Sequence, residues 1–298
     1  MKPIRAVAIL PTLFTLGNLI CGFFAIVVLS RIERPVTDDF RPAESIKIDV
    51  KSPQALRASA RALIDSDDPT HNLMLSGALI LLAMLFDAVD GQIARITRAT
   101  SDFGAQLDSL CDLVSFGVAP AILLVKMCPQ FTYWHRDAVW CIAAVFACCA
   151  ALRLARFNVE SDTEDDHTMF AGLPTPAAAA AIGSFAILSY SLRNENAAFT
   201  NENFRLYDLW MQRIVPIFAL LISILMVSRL PYPHPLTQFV RGQRSFAQLI
   251  AIVFSLMAIL IVWNYAVPLL CVAFVCWPPV KYLWHLVWNR RSQEESLF

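Results

Sequence analysis

A succession of apolar runs, each long enough to cross a membrane, constrains this chain more than any other feature. A spanning helix needs roughly 20 mostly apolar residues. Stretches of that kind lie at about 9–30, 72–93, 105–127, 137–156, 173–192, 211–229, 246–264 and 266–286. Lipid offers no partner to backbone N–H and C=O groups, so such stretches must satisfy themselves as helices. The expectation is an all-α integral membrane protein with about eight transmembrane helices. The last two runs are nearly fused, and Asn264 and Pro268 mark the one break available between them. The first run is longer than the apolar region of a cleaved signal peptide and lacks a small-residue cleavage site, which predicts a retained helix.

Composition agrees and excludes several functions. The chain is 57% hydrophobic and only 16% charged, outside the range of soluble domains. Its 24 basic and 24 acidic residues cancel, so bulk charge gives no reason to expect nucleic acid as a partner. The eight cysteines fall in or beside apolar runs without a CxxC pair, which reads as small apolar packing rather than zinc binding. The five histidines form no HxxxH pair and earn the same reading.

Basic residues set the orientation. With the N-terminus cytoplasmic, Lys2, Arg5, Arg95, Arg98, Arg153, Arg156, Arg229, Arg241, Arg244, Lys281, Arg290 and Arg291 share one side, against Lys126, Arg136, Arg193 and Arg205 in the short loops opposite. The positive-inside rule places the first set in the cytoplasm. A polar insert at 31–71, rich in both signs of charge, lies on the far side. Within it, Ser52-Pro53 resembles a helix start, and Leu56, Ala60, Leu63 and Ile64 recur at helical spacing. Two readings stand there: a short amphipathic helix on the membrane surface, or a solvated loop.

Against this apolar background stand four aspartates: Asp87, Asp90, Asp108 and Asp112. Each carboxylate in a membrane segment costs roughly 2.5–3.5 kcal/mol, so four demand compensation on the order of 10 kcal/mol. Asp87 and Asp90 are three residues apart, and Asp108 and Asp112 four, so each pair shares one helix face. The polar stretch from about Ile96 to Asp102 can turn the chain and bring the two faces together at the cytoplasmic surface. Convergent carboxylates are hard oxygen ligands suited to Mg²⁺ or Mn²⁺. Two such ions about 3.5–4 Å apart would clamp a phosphate or pyrophosphate. Gly91, beside a candidate ligand, lets a bulky substrate approach the backbone. Gly104 allows close helix packing, and Arg95 is placed for a phosphate oxygen. The plainer alternative, helix-end aspartates paired with Arg95 and Arg98, suits one aspartate better than four at this spacing.

The pattern Asp87-x2-Asp90-Gly91-x2-Ala94-Arg95-x8-Gly104-x3-Asp108-x3-Asp112 resembles the signature of the CDP-alcohol phosphotransferases, with every fixed position filled. The resemblance runs over roughly residues 5–230, apart from the insert. It implies a six-helix catalytic core within residues 1–230; beyond it, the apolar runs place two additional helices and a charged cytoplasmic tail in 231–298. Members of that family move a phosphatidyl or similar group from a CDP-linked lipid to an alcohol and release CMP. By this resemblance Asp87, Asp90 and Asp108 are metal ligands, while Asp112 is a ligand and also the base for the acceptor hydroxyl. Gly91 and Arg95 hold the CDP moiety, and Ser101 matches a small hydroxyl position that binds it. A homodimer is implied in the same way.

Four further segments are similar to the bacterial and archaeal phosphatidylserine synthases of that family: Leu10 to Gly22, Leu107 to Pro120, Leu152 to Asn158, and Gly172 to Pro176. They imply CDP-diacylglycerol and L-serine as substrates and a prokaryotic cytoplasmic membrane as location. The short loop those relatives place after the first helix is here the 31–71 insert. Serine is a zwitterion, so its site needs a cation and a hydrogen-bond acceptor. Arg153 and Arg156 are candidates for the cation, with positive-inside anchoring as the competing role, and Asn158 or a motif aspartate for the acceptor. Asn18 and Thr15, polar residues in the first helix, either contact the cytidine or lipid phosphate or bond between helices. The small residues from Ala177 to Ala181 suit tight packing or access for a lipid tail. Other acceptors (glycerol 3-phosphate, an inositol phosphate, choline) are the alternatives within the enzyme class. A divalent-cation transporter is the rival from outside it, though no internal repeat supports that.

Overall fold

The computed structural model describes residues 9–32, 68–97, 102–128, 137–160, 170–195, 201–232 and 263–295. Helices α1 (Ile9–Ser30), α2 (Pro69–Thr97) and α3 (Asp102–Asp112) come first. A π-helical stretch, Leu113–Val118, then leads straight into α4 (Ala119–Met127). Helices α5 (Ala138–Glu160), α6 (Thr175–Glu195), α7 (Asn201–Val227) and α8 (Trp263–Glu295) follow among the described residues. Among the described residues, one strand pair is present, the two-residue antiparallel β1 (Phe170–Ala171) with β2 (Pro231–Tyr232).

Seven of the described segments are long and apolar enough to cross a membrane: Thr12–Ser30, Pro69–Ile93, Phe103–Met127, Ala138–Val159, Thr175–Leu192, Trp210–Val227 and Tyr265–Tyr282. The expected run at 246–264 lies almost wholly outside the described residues, as does the helix start expected at Ser52-Pro53. Helix α8 starts at Trp263 and runs on through Pro268, so that proline is internal to a helix rather than a break before one. Exposed side chains such as Phe23, Leu85, Trp140, Leu152, Ile224 and Leu269 ring the bundle. An apolar belt of that extent belongs in lipid. The protein is a multi-pass integral membrane protein.

Helix α1 shows how the sequence sorts its faces. Leu13, Leu16, Ile20, Phe23 and Phe24 point outward, whereas Thr15, Asn18, Gly22, Ala25 and Leu29 recur at three- and four-residue steps and are buried. The buried stripe lies along α2, and α2 in turn lies along α6. Small residues let these axes approach: a Cβ on Gly77 would stand 2.5 Å from the carbonyl oxygen of Gly183. The residues Ala178, Ala179, Ala180 and Ala181 are all buried. Tight helix packing is therefore what this alanine run serves.

Two local features depart from the expected helix ranges. Helix α2 begins at Pro69, three residues before the apolar run, because the Asp68 carboxylate accepts the Thr70 N–H at 2.9 Å and proline suits the first helical position. The span expected as uniform α-helix over 105–127 contains the π-helical stretch immediately after Asp112. There the Ser115 hydroxyl donates to the Asn18 carbonyl at 3.0 Å, and Gly22 lies directly against Ser115, leaving no room for a Cβ. Such insertions re-aim neighbouring side chains and often mark functional sites.

The strand pair clamps the loop before α6 to the end of α7. Gly172 adopts φ 86°, which a side chain would strain, and a Cβ there would also meet the Met226 and Ser228 carbonyl oxygens at 2.5 and 2.7 Å. Its N–H donates to Leu230 at 2.9 Å, and the Leu173 N–H donates to Leu225 at 3.0 Å. The last carbonyls of a helix lack intrahelical partners, and here a remote segment supplies one. Tyr232, fully buried, then donates its hydroxyl to the Val275 carbonyl of α8 at 3.0 Å. That carbonyl is open because the residue four positions on is Pro279, which has no N–H to close the helical bond.

Candidate active site

The four aspartates reach the site from two helices, as their spacing requires. Asp87 and Asp90 stand on the last turns of α2, and Asp108 and Asp112 on α3. Carboxylate oxygens of Asp87, Asp90 and Asp108 all lie within 4.8 Å of one another. Asp90 and Asp112 are buried and the other two partly so. Oδ2 of Asp90 and Oδ1 of Asp108 are buried without a hydrogen-bond partner among the described residues.

Buried carboxylate oxygens with no donor are costly, and an all-oxygen set this close has the chemistry of a Mg²⁺ or Mn²⁺ site. The residues present therefore fit a divalent cation. Asp112 adjoins this trio, but its Oδ1 is taken by the Asn18 amide, which donates to it at 2.9 Å.

Helix α1 packs against both aspartate-bearing helices. One turn from Asn18, the Thr15 hydroxyl bonds the Asp90 carboxylate. Thr15 and Asn18 thus both make interhelical hydrogen bonds to motif aspartates. Sequence reasoning missed Ser115, although its position three residues after Asp112 puts it near the same face.

A cation closes the arrangement. Arg153 on α5 lies within electrostatic range of Asp112 and Asp87, and its Nη1 donates to the Thr175 hydroxyl at 3.0 Å. Asn158, a turn further along α5, accepts from the Ser109 hydroxyl at 3.1 Å and so ties α5 to the aspartate-bearing α3. Arg156 is half-buried between these two residues in sequence. Gly91 has open space where a Cβ would stand, with nothing within 4 Å. Arg95 belongs to α2, but its side chain, like all of Ser101, lies outside the described residues. Thr175 was not singled out from the sequence, since a lone threonine between prolines carries no pattern of its own.

Comparison with known proteins decides the family. The profile described as CDP-alcohol phosphatidyltransferase matches residues 8–225. The chain belongs to the CDP-alcohol phosphatidyltransferase family. The matched region takes in every motif residue and stops short of β2 and α8.

Among curated relatives, a CDP-diacylglycerol–serine O-phosphatidyltransferase of Methanocaldococcus jannaschii is 38% identical over 161 residues, covering 54% of this chain and 65% of that protein. One of the same name from Helicobacter pylori is 30% identical over 165 residues, covering 55% and 63%. An archaetidylserine synthase of Methanothermobacter thermautotrophicus is 35% identical over 158 residues, covering 52% and 57%. The chain thus spans between 57% and 65% of the length of these relatives.

Proposed function

We propose that this CDP-alcohol phosphatidyltransferase moves the phosphatidyl group of CDP-diacylglycerol to the hydroxyl of L-serine, yielding phosphatidylserine and CMP. The observation that carries the reading is the convergence of Asp87, Asp90 and Asp108, with buried unpartnered oxygens, beside Asp112 and Arg153. The names of the relatives support serine as acceptor.

Asp87, Asp90 and Asp108 would hold the divalent cations, with Asp112 as a further ligand. Cations bound there would neutralise charge on the pyrophosphate and on the leaving CMP. The rest falls to the chain itself. Asp112 accepts the proton of the serine hydroxyl as that oxygen forms its bond to the phosphatidyl phosphorus. The bond from that phosphorus to the bridging oxygen breaks, and CMP leaves with the electron pair. Asn18, by donating to one oxygen of Asp112, fixes the plane of the carboxylate. Gly91 leaves space for the CDP moiety, with Arg95 and Ser101 as its further contacts. Arg153 offers a guanidinium to the serine carboxylate, with Arg156 and Asn158 at the same helix end. Soluble CMP suits a site opening to the cytoplasm.

The test is CMP release from CDP-diacylglycerol by the detergent-purified protein, with Mg²⁺ or Mn²⁺, over a panel of alcohols. Release that depends on serine supports the reading. Release only with glycerol 3-phosphate, an inositol phosphate or choline would keep the chemistry and reject the acceptor. Folded protein that releases CMP with none of them would sink the proposal.

A further inference from the structure

Thr175 is fully buried at the first position of α6, yet its hydroxyl does not cap its own helix. It accepts from Nη1 of Arg153 on α5, 22 positions earlier in the chain, at 3.0 Å. Three elements of the fold hold it there. Gly172, at its positive φ, and Leu173 bond the last carbonyls of α7 and the residue before β2. The Pro174 carbonyl then accepts the Ala178 N–H at 3.0 Å, starting the helix. Pro174 and Pro176 limit φ on either side.

The corner of the guanidinium that Thr175 occupies matters. Nη1 lies on the Cδ side of the group, so Nε and Nη2 together form the side-on fork that grips a carboxylate with two parallel bonds. The Nε of Arg153 is buried and has no hydrogen-bond partner among the described residues. Two aspartates, Asp112 and Asp87, lie within electrostatic range. An unpinned arginine would turn its fork onto one of them, engaging the base or a ligand. A neutral hydroxyl at Nη1 holds the group still without cancelling its charge and leaves the buried Nε without a partner among the described residues, available to a ligand carboxylate.

We infer that Thr175 is a positioning residue for Arg153, directing the guanidinium fork at the carboxylate of the acceptor and so setting acceptor selectivity. The inference rests on the serine-transfer reading above. Thr175 bonds Arg153 and makes no hydrogen bond to a motif aspartate among the described residues, so its effect should fall on the acceptor.

The test compares wild type, Thr175→Val, Thr175→Ser and Arg153→Ala in CMP-release kinetics, varying serine and CDP-diacylglycerol separately. Loss of a hydrogen bond to a charged group is expected to raise the KM for serine about tenfold or more in Thr175→Val. The KM for CDP-diacylglycerol should stay within about twofold, and Thr175→Ser should restore the wild-type value. In the Arg153→Ala background, Thr175→Val should add no further loss.

A Thr175→Val protein with an unchanged serine KM would overturn the inference while leaving the serine reading intact. So would equal rises in both KM values, or additive losses in the double variant. Wild-type protein inactive with serine would remove both. If Thr175→Val does not fold, Thr175→Ala against Thr175→Ser reads the same split.

Discussion

Replacing Tyr232 with phenylalanine removes one oxygen and tests whether α8 is fastened to the core as the geometry indicates. Tyr232 is fully buried, as is Val275, whose carbonyl takes its hydroxyl at 3.0 Å. Phenylalanine preserves the ring and its contact with Phe274, now at a centroid distance of 6.0 Å. What is lost is the only proton available to that carbonyl from Tyr232, and the ordinary helical donor is missing because position 279 is proline. An unsatisfied buried carbonyl costs about 1–3 kcal/mol, so Tyr232→Phe should destabilise the protein by that amount. In a Pro279→Ala background the alanine N–H can close onto Val275, and the same substitution should then cost less than about 0.5 kcal/mol. Reversible unfolding in mixed micelles, followed by tryptophan fluorescence, measures all four corners of the cycle. A Tyr232→Phe protein within about 0.3 kcal/mol of wild type, or the same penalty in both backgrounds, would refute the reasoning.

Other outcomes follow from the site and its supports. Asp112→Asn should lower the rate of CMP release by about 10²–10⁴-fold, the range of a lost general base, while Mn²⁺ binding by electron paramagnetic resonance shows whether the cation set persists. Chelation should abolish release and added Mg²⁺ or Mn²⁺ restore it, with Asp108→Asn shifting the metal titration to higher concentration. Gly77→Val should fail to assemble or melt well below wild type, since even a Cβ would stand 2.5 Å from the Gly183 carbonyl oxygen, and size-exclusion profiles with thermal melts will show it. Asn18→Leu should reduce turnover more than it reduces the affinity for CDP-diacylglycerol, because Asn18 bonds the Asp112 carboxylate; equal effects on both would contradict its role.

Much of the site was legible before any coordinates because its logic is local. Three- and four-residue steps put Asp87 with Asp90, and Asp108 with Asp112, on shared helix faces, and the structure gathers three of those carboxylates within 4.8 Å. Apolar length alone located the described spans to within a few residues. Less visible were the interruptions: the π-helical stretch after Asp112 has no composition of its own, and α2 starts early on a cap that lies outside its apolar run. The alanines of α6 could serve packing or lipid access until their burial decided for packing.

That the chain crosses the membrane as helices, and that its carboxylates pair on two of them, is written in the amino-acid order. Both follow from the solvent and the helical repeat, which act over a few residues. It takes the packed bundle to show that Asn18 holds Asp112, 94 residues away, that Thr175 rather than an aspartate holds Arg153, and that a carbonyl opened by Pro279 is filled by Tyr232. Helical periodicity says which residues share a face. Which face meets which depends on where small residues let two axes approach, and that is a property of the pair of helices.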